Sequence, residues 1–204
     1  MIRLHGLEVS GNTYKIKLLL NLLNIKYEFI PLDIKNKQHK SEAFLKLNPR
    51  GEFPVLEDGS LIVWDSQAIL IYLAKQYGTQ ENNHWYPDNA PAIAHITQWL
   101  TVANGEIFLT LGKARAMLKF GYAGDLELAQ KRGIKILQWI DQHLKDRNWL
   151  ATEQPSIADI TCYPYIALCE EGDISLSHYP AIHRWFKRIQ NINGYVSMPG
   201  IKRE

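Results

Sequence analysis

The stretch FPVLEDGSLIVWDSQAILIYLAKQYG, residues 53–78, carries the signals of a β-hairpin followed by a helix. Two short apolar runs flank Asp58 and Gly59, residue types that favour the tight turn of a hairpin. After Trp64, apolar residues recur at helical spacing as far as Gly78, and glycine is common just past the last turn of a helix. We therefore predict a hairpin that leads directly into a helix.

Upstream of this hairpin, the chain alternates apolar runs with a helical segment. The runs IRLHGL, residues 2–7, and YEFIPLD, residues 27–33, each fit a strand, and the apolar residues between them have helical spacing. This pattern predicts a βαβ unit with a right-handed crossover. A short helix over residues 41–48 follows and is stopped by Pro49. The predicted order up to residue 78 is therefore βαβαββα.

The composition changes near residue 80. Residues 79–89, TQENNHWYPDN, are polar and without periodicity, which predicts a linker. Beyond them the spacing predicts helices over roughly residues 91–118, 125–146, 156–170 and 179–192. Ser156 and Asp159 are expected to cap the third of these helices reciprocally. We thus expect a mixed α/β domain at 1–78 and an all-α domain at 90–204.

Composition restricts the classes of partner. Among 204 residues, 23 Lys and Arg balance 21 Asp and Glu, so no strong field attracts nucleic acid or anionic lipid. No apolar run approaches the roughly 20 residues that span a bilayer, and the N-terminus lacks the pattern of a secretory signal. Neither a phosphate-binding loop nor metal-ligand spacing is found. We expect a cytoplasmic protein without nucleic acid, membrane, metal or nucleotide.

The two cysteines, Cys162 and Cys169, lie in the third predicted helix of the second domain. Seven residues of helix separate them by about 10.5 Å along the axis, too far for a disulfide bond to each other. They are expected to be reduced thiols that pack in the core.

Two positions around the hairpin have competing explanations. Pro54 either begins an edge strand, or forms a cis-proline turn that presents the backbone of Val55 to a peptide-like ligand. Asp65 and Ser66 either cap the following helix, or bind the ammonium and carboxylate of an α-amino acid at its N-terminus. Local rules alone favour capping for Asp65 and Ser66.

Four stretches considered together resemble the cytosolic glutathione transferase family along nearly the whole chain. They are SGNTYKIKLLLNLLNIKYE from residue 10, HKSEAFLKLNPRGEFPVLEDG from residue 39, DSQAILIYLAKQYG from residue 65 and WLATEQPSIADITCYPY from residue 149. The chain is most similar to a serine-type bacterial member. The resemblance implies a thioredoxin-like N-terminal domain, an all-helical C-terminal domain, a homodimer, and glutathione as co-substrate.

The resemblance also implies a set of glutathione-binding residues. Pro54 would be the cis-proline, Val55 would pair its backbone with the cysteinyl part, and Asp65 with Ser66 would receive the γ-glutamyl end. The glycyl end departs from the family pattern, because Glu52 is a poor partner for a carboxylate. The implied set is therefore His39, Lys40, Phe53, Pro54, Val55, Asp65 and Ser66, with Arg50 as a further candidate at the glycyl end.

Ser10 lies where serine-type members carry the hydroxyl that hydrogen-bonds to the glutathione sulfur. Thiolate is the nucleophile, and a donor hydroxyl near a helix N-terminus favours that anion. Asn12 is a helper or substitute, and Tyr14 inside the helix is a weaker candidate. Local rules predict Asn12 as the N-cap of the helix, which would leave Ser10 free for the sulfur.

The second substrate is expected to be a small hydrophobic electrophile, with residues 195–198 as a cover. Its implied contacts are Val9, Phe108, Leu111, Arg115 and Met117, and Arg115 would polarise the electrophile. The leading hypothesis is conjugation of the glutathione thiolate in detoxification. The alternatives are a glutathione-dependent peroxidase or reductase on the same fold, and a glutathione-binding scaffold without catalysis.

Overall fold

The computed structural model describes residues 1–79 and 83–204, so residues 80–82 of the predicted linker lie outside the described chain. Two compact units are found. The first unit contains the described residues before position 80 together with residues 193–199, and the second contains residues 83–192 and 200–204. A short segment near the C-terminus therefore belongs to the first unit.

The first unit has a four-stranded mixed sheet in the order β2-β1-β3-β4. Strands β1 and β2 are parallel, whereas β3 is antiparallel to both β1 and β4. The elements are β1 Ile2–Gly6, α1 Gly11–Leu22, β2 Tyr27–Pro31, α2 Glu42–Leu47, β3 Val55–Asp58, β4 Leu61–Trp64 and α3 Ser66–Tyr77. This thioredoxin-like order confirms the predicted βαβαββα arrangement.

The two central strands are covered by apolar side chains. Leu4 of β1 and Leu56 of β3 are fully buried, and so are residues of α1 and α3: Ile16, Leu18, Leu19, Leu20, Ile69, Leu70 and Leu73. β2 and β4 lie at the edges and expose more of their side chains. Burial of each of these side chains stabilises the fold by roughly 1.5–3 kcal/mol, and this is the main force that holds the helices on the sheet.

The hairpin between β3 and β4 turns at Gly59, whose φ of 61° lies in the left-handed region that glycine adopts without strain. The prediction of Gly59 as a turn residue is confirmed, but that of Asp58 is wrong: Asp58 ends β3 and pairs with Leu61, so the turn consists of Gly59 and Ser60. At the other end of β3, the Phe53–Pro54 peptide bond is cis, as the family resemblance implied.

The second unit is built from helices. Its elements are α4 Ala90–Val102, α5 Lys113–Phe120, α6 Leu126–His143, α7 Ile157–Ala167 and α8 Pro180–Gln190. A π-helical segment, Ala103–Gly112, joins α4 to α5, so the helix predicted over 91–118 is continuous but changes its hydrogen-bond register. Apolar spacing cannot reveal this change, because a π-turn alters the register by one residue only. None of the described helices has the length and hydropathy needed to span a membrane.

The predicted reciprocal cap at the start of α7 is confirmed. The Ser156 side chain accepts from the backbone of α7, and the Asp159 carboxylate accepts from the backbone N–H of Ser156. Asp159 is completely buried and also accepts from the N–H of Leu150 and the indole of Trp185. Burial raises the pKa of this carboxyl to about 6, although its hydrogen bonds act in the opposite direction.

Candidate functional site

The register of the sheet brings three candidate segments to one edge of the first unit. His5, close to the end of β1, lies opposite Val55 at the start of β3, and Val55 lies opposite Trp64 at the end of β4. The loop after β1, the Phe53–Pro54 bond before β3 and the Asp65–Ser66 pair after β4 therefore share this edge. The sequence predicted each segment separately, and the antiparallel pairing of β3 explains why they meet.

Ser10 is the N-cap of α1. Its Oγ accepts a hydrogen bond from the backbone N–H of Thr13 at 3.3 Å, and the helix begins at Gly11. The prediction that Asn12 caps this helix is wrong, since Asn12 already lies in the first turn. The Ser10 side chain is half-buried, and its own O–H finds no acceptor among residues 1–79 and 83–204. The cap therefore uses a lone pair of Ser10 and leaves its proton available.

The loop that carries Ser10 is fixed to α1 by the buried Thr13. Thr13 Oγ1 accepts from the N–H of Leu7, and the N–H of Ser10 donates to the carbonyl of Leu7. A Cβ at Gly6 would come within 2.4 Å of Thr13 Oγ1, so the end of β1 admits only glycine against this side chain. The position of the Ser10 hydroxyl is therefore set by packing.

Asn12 is held by the side chain of Lys15. Lys15 is fully buried in α1, and its Nζ donates to Asn12 Oδ1 at 2.8 Å. The two residues are three apart, which places them on the same face of a helix. That spacing was visible in the sequence, but a lysine in a helix is ordinarily exposed, so its burial gave no signal.

Tyr14, the weaker candidate for the sulfur, is engaged elsewhere. It is buried, and its Oη donates to the carbonyl of Val196 at 2.7 Å. Val196 belongs to the segment 193–199 of the same unit. The phenol therefore anchors this C-terminal segment on α1 and is not presented at the edge described above.

The backbone expected to pair with a peptide-like ligand is not that of Val55. Each residue of an antiparallel strand directs its N–H and C=O toward one neighbouring strand, and Val55 has a protein strand on both sides. Phe53 precedes the strand, and its backbone N–H and C=O have no hydrogen bond within the described part of the chain. Its ring contacts the cluster of Leu32, Phe44 and Val55. The available backbone is therefore that of Phe53.

Asp65 caps α3 with one carboxylate oxygen. Its Oδ1 accepts from the N–H groups of Gln67 and Ala68 at 2.9 and 3.1 Å, while Asp65 itself has a φ of 77°. The exposed Oδ2 forms no hydrogen bond to any described residue, and neither does the hydroxyl of the buried Ser66. Capping and ligand binding are therefore compatible at Asp65, because they use different oxygens.

The residues suggested for a glycyl carboxylate lie around the loop before Phe53. The His39 ring meets the Phe53 ring edge to face at 6.2 Å, and its Nδ1 is buried without a partner among the described residues. Lys40 Nζ donates to the carbonyl of Arg50 at 3.0 Å. Arg50 itself is paired with Glu52 at 2.9 Å, so the two charges compensate. His39 and Lys40 remain the candidates here.

Of the residues suggested for an electrophile, two are corrected by their surroundings in the second unit. Leu111 is fully buried, and one of its methyl carbons would lie 2.7 Å from a Cβ at Gly133 of α6. Arg115 is 3% exposed, and its Nε donates to Glu171 Oε2 at 2.5 Å. Leu111 is thus a core residue. Arg115 is paired through Nε with Glu171, which also pairs with Lys119, while its Nη2 is buried without a partner among the described residues.

The other three candidates are partly exposed. Val9 lies in the loop before α1 of the first unit. In the second unit, Phe108 packs edge to face on Tyr165 at 5.4 Å, and Met117 contacts Gly124. These side chains keep accessible apolar surface.

The cysteines are buried free thiols, as predicted. Cys169 lies just after α7 in a short 3₁₀ turn, Cys169–Gly172, and burial raises the pKa of its thiol to about 12. Cys162 is in α7. Both thiols lack the exposure of a reactive thiolate, and the raised pKa of Cys169 further disfavours its ionisation.

Comparison with known proteins gives a consistent result for both units. Residues 3–75 match the family model of the glutathione S-transferase N-terminal domain, and residues 110–193 match that of the C-terminal domain. Glutathione S-transferase 2 of Anopheles gambiae is 34% identical over 80% of this chain and 76% of its own. The disulfide-bond oxidoreductase YfcG of Escherichia coli K12 is 30% identical over 89% and 87%.

A solved structure extends the similarity to the whole fold. The glutathione S-transferase from Pseudomonas fluorescens shares 33% identity and superposes with a TM-score of 0.90, covering 97% of this chain and 98% of its own.

Proposed function

Because the chain belongs to the glutathione S-transferase family, whose members are transferases, we propose that it conjugates glutathione to small hydrophobic electrophiles. The observation that carries this proposal is the shared edge of the first unit. Through the pairings His5–Val55 and Val55–Trp64, the loop of Ser10, the backbone of Phe53 and the Asp65 carboxylate lie at that edge. These are the groups that a thiol-containing tripeptide requires.

Each part of glutathione finds complementary chemistry in this proposal. The γ-glutamyl ammonium binds Asp65 Oδ2, and its carboxylate binds Ser66 at the N-terminus of α3. The cysteinyl part pairs in extended form with the N–H and C=O of Phe53. His39 and Lys40 receive the glycyl carboxylate. The backbone that pairs with the cysteinyl part is that of Phe53 and not that of Val55, because β1 and β4 flank Val55.

Catalysis rests on the ionised thiol. Ser10 donates its O–H to the sulfur while its Oγ continues to cap α1. A free thiol has a pKa near 8.5, and lowering it by about two units requires about 2.7 kcal/mol of preferential stabilisation of the anion. One charge-assisted hydrogen bond together with the helix N-terminus supplies a contribution of this size.

The chemical step is a displacement or an addition at carbon. With a chlorinated nitroaromatic, the sulfur forms a bond to the ring carbon, the carbon–chlorine bond breaks, and chloride leaves with the bonding electrons. The thiol proton has already passed to solvent. Ser10 remains a hydrogen-bond donor throughout and forms no covalent intermediate. Val9, in the same loop as Ser10, supplies a candidate apolar contact for the electrophile.

Calorimetric titration with glutathione tests the proposal, followed by conjugation assays with a chloronitrobenzene, an isothiocyanate and a haloacid. We expect saturable binding and turnover of at least one member of this panel. Absence of binding at millimolar glutathione would exclude the proposed function. Binding without turnover of any of the three would instead favour the scaffold.

A second candidate, glutathione-dependent disulfide reduction, is favoured by the 30% identity to a protein named as a disulfide-bond oxidoreductase. No cysteine lies in the loop before α1 or in α1 itself. Two glutathione molecules would therefore carry the electrons, and they would leave as glutathione disulfide while the substrate disulfide becomes two thiols. Reduction of hydroxyethyl disulfide by the purified protein separates this activity from conjugation.

We further propose that the protein acts as a cytoplasmic homodimer in detoxification. The edge strand β4 exposes about two fifths of each of three apolar side chains, Leu61, Ile62 and Trp64, which favours contact with a second copy. Sedimentation analysis at micromolar concentration measures the mass directly. A monomer at all concentrations would contradict this assembly.

A further inference from the structure

The fully buried Lys15 is a charged residue that the proposed function does not yet use. Resting on that function, we propose that Lys15 is a positioning residue, which orients the side-chain amide of Asn12 so that its N–H group is presented to the glutathione sulfur. The observation is the contact of 2.8 Å between Lys15 Nζ and Asn12 Oδ1 within α1.

The chemistry of the two groups fixes which atom of the amide faces Lys15. Lys15 Nζ is the donor of this hydrogen bond, so the atom of Asn12 that it contacts is the carbonyl oxygen Oδ1. The amide nitrogen is then directed away from Lys15. Asn12 is half-buried, and its Nδ2 has no hydrogen-bond acceptor within residues 1–79 and 83–204. Its two N–H donors therefore remain available to a ligand.

The location of Asn12 favours the sulfur as that ligand. Asn12 is in the first turn of α1, two residues after the hydroxyl of Ser10 and directly after the start of the helix at Gly11. The positive end of the helix dipole acts on the same anion. Two neutral donors, the Ser10 O–H and the Asn12 N–H, would then share one thiolate.

A buried ammonium needs a compensating gain, because its desolvation is unfavourable. The residues before and after Lys15 in the sequence, Tyr14 and Ile16, are also buried. A methionine would satisfy packing at position 15 without the cost of desolvation. An ammonium that fixes an amide supplies what an apolar side chain cannot, a defined orientation of a catalytic donor.

The test measures the pKa of glutathione bound to the protein, from the ultraviolet absorbance of its thiolate. We expect Lys15→Met and Asn12→Ala each to raise this pKa by about one unit, the loss of one hydrogen bond to a charged group. If Lys15 acts through Asn12, the double variant raises it no further than Asn12→Ala alone. Additive shifts, or an unchanged pKa in Lys15→Met, would overturn the proposal.

Lys17→Met is the matched control. Lys17 is on the same helix and pairs with Glu8 at 2.6 Å, so its replacement removes one positive charge without touching Asn12. The pKa of the bound thiol should stay unchanged in this variant. A shift equal to that of Lys15→Met would show that net charge, and not orientation, is responsible, which would also overturn the proposal.

Two further measurements keep the test decisive. If Lys15→Met does not fold, Lys15→Leu replaces it: this variant also removes the donor that holds Asn12 Oδ1, so the pKa must rise as in Asn12→Ala. An unchanged pKa there refutes the inference. Failure of the wild-type protein to bind glutathione in calorimetry would refute the proposed function itself, whereas normal binding with a pKa indifferent to Lys15 refutes only the positioning role.

Discussion

The Oγ of Ser10 lies 3.3 Å from the backbone nitrogen of Thr13, so a single side chain caps α1 and still carries a free proton. A hydroxyl oxygen can accept one hydrogen bond and donate another at the same time. The structural role and the proposed catalytic role of Ser10 therefore do not compete. They can be separated by comparing stability with reactivity in the same variants.

Replacement Ser10→Ala should affect both properties. Loss of the cap should lower the free energy of unfolding by about 1 kcal/mol, measured by urea denaturation. Loss of the donor should raise the pKa of bound glutathione by about one unit, so that conjugation falls about fivefold near pH 6.5 and recovers above pH 9.

A matched control exists in α2. Ser41 caps that helix through a contact of 3.3 Å with the N–H of Phe44, the same geometry as at Ser10. Ser41→Ala should lower stability by a similar amount without any change in the thiol pKa. If the thiol of bound glutathione had the same pKa in Ser10→Ala and Ser41→Ala, Ser10 would have no role in stabilising the thiolate.

The γ-glutamyl end is tested by Asp65→Asn. Asparagine can still cap α3 through its oxygen and tolerates the positive φ of this position, so stability should change little. The ammonium of glutathione loses its carboxylate partner, and the Kd should rise by about tenfold to a hundredfold. Asp125→Asn, the corresponding cap of α6, should leave the Kd unchanged. An unaltered Kd for Asp65→Asn would contradict the assignment.

Replacement His39→Ala probes the glycyl end. We compare the Kd of glutathione with that of γ-glutamylcysteine, which lacks the glycine. The Kd of the wild-type protein should be about tenfold lower for glutathione than for the dipeptide, because one hydrogen bond to a charged group contributes about this much to affinity. The preference should largely vanish in His39→Ala, while the affinity for the dipeptide stays constant. A variant that weakens both ligands equally would indicate a structural role for His39.

The sequence predicted the elements of the fold because periodicity and turn residues are local properties. The π-helical segment 103–112 was missed, since apolar spacing does not encode hydrogen-bond register. The cap at Ser10 was missed because Gly11 and Asn12 both resemble residues before a helix, and only the Thr13 contact shows where the first turn begins.

Prediction of the site was limited by burial. Leu111 and Arg115 have the residue types of a substrate contact, but only tertiary packing shows that one lies in the core and the other is paired with Glu171. The burial of Lys15 is likewise a result of tertiary packing and cannot be read from its residue type. The available backbone of Phe53 depends on which residue begins β3, and strand ends are poorly determined by sequence alone.

Asp159 should give the protein a defined dependence of stability on pH. Its pKa is about 6 in the folded state and 3.8 for an unperturbed carboxyl, so between these values the folded state binds the additional proton. Stability contributed by this residue is therefore fully present below about pH 4 and decreases as the pH rises through 6.

The difference in unfolding free energy between wild type and Asp159→Asn isolates the contribution of the Asp159 carboxyl to stability. This difference in unfolding free energy should decrease by about 2 kcal/mol from pH 4 to pH 7, measured by urea denaturation. At every pH the variant should be the less stable protein, because an amide cannot accept all the donors that converge on Asp159. A difference that increases with pH would show that hydrogen bonding outweighs burial.

The most direct test of the central claim is a pH titration of the thiolate absorbance of glutathione bound to the wild-type protein. We expect a midpoint about two units below that of the free thiol. A midpoint equal to that of free glutathione, with binding confirmed by calorimetry, would contradict activation of the thiol at the Ser10 loop.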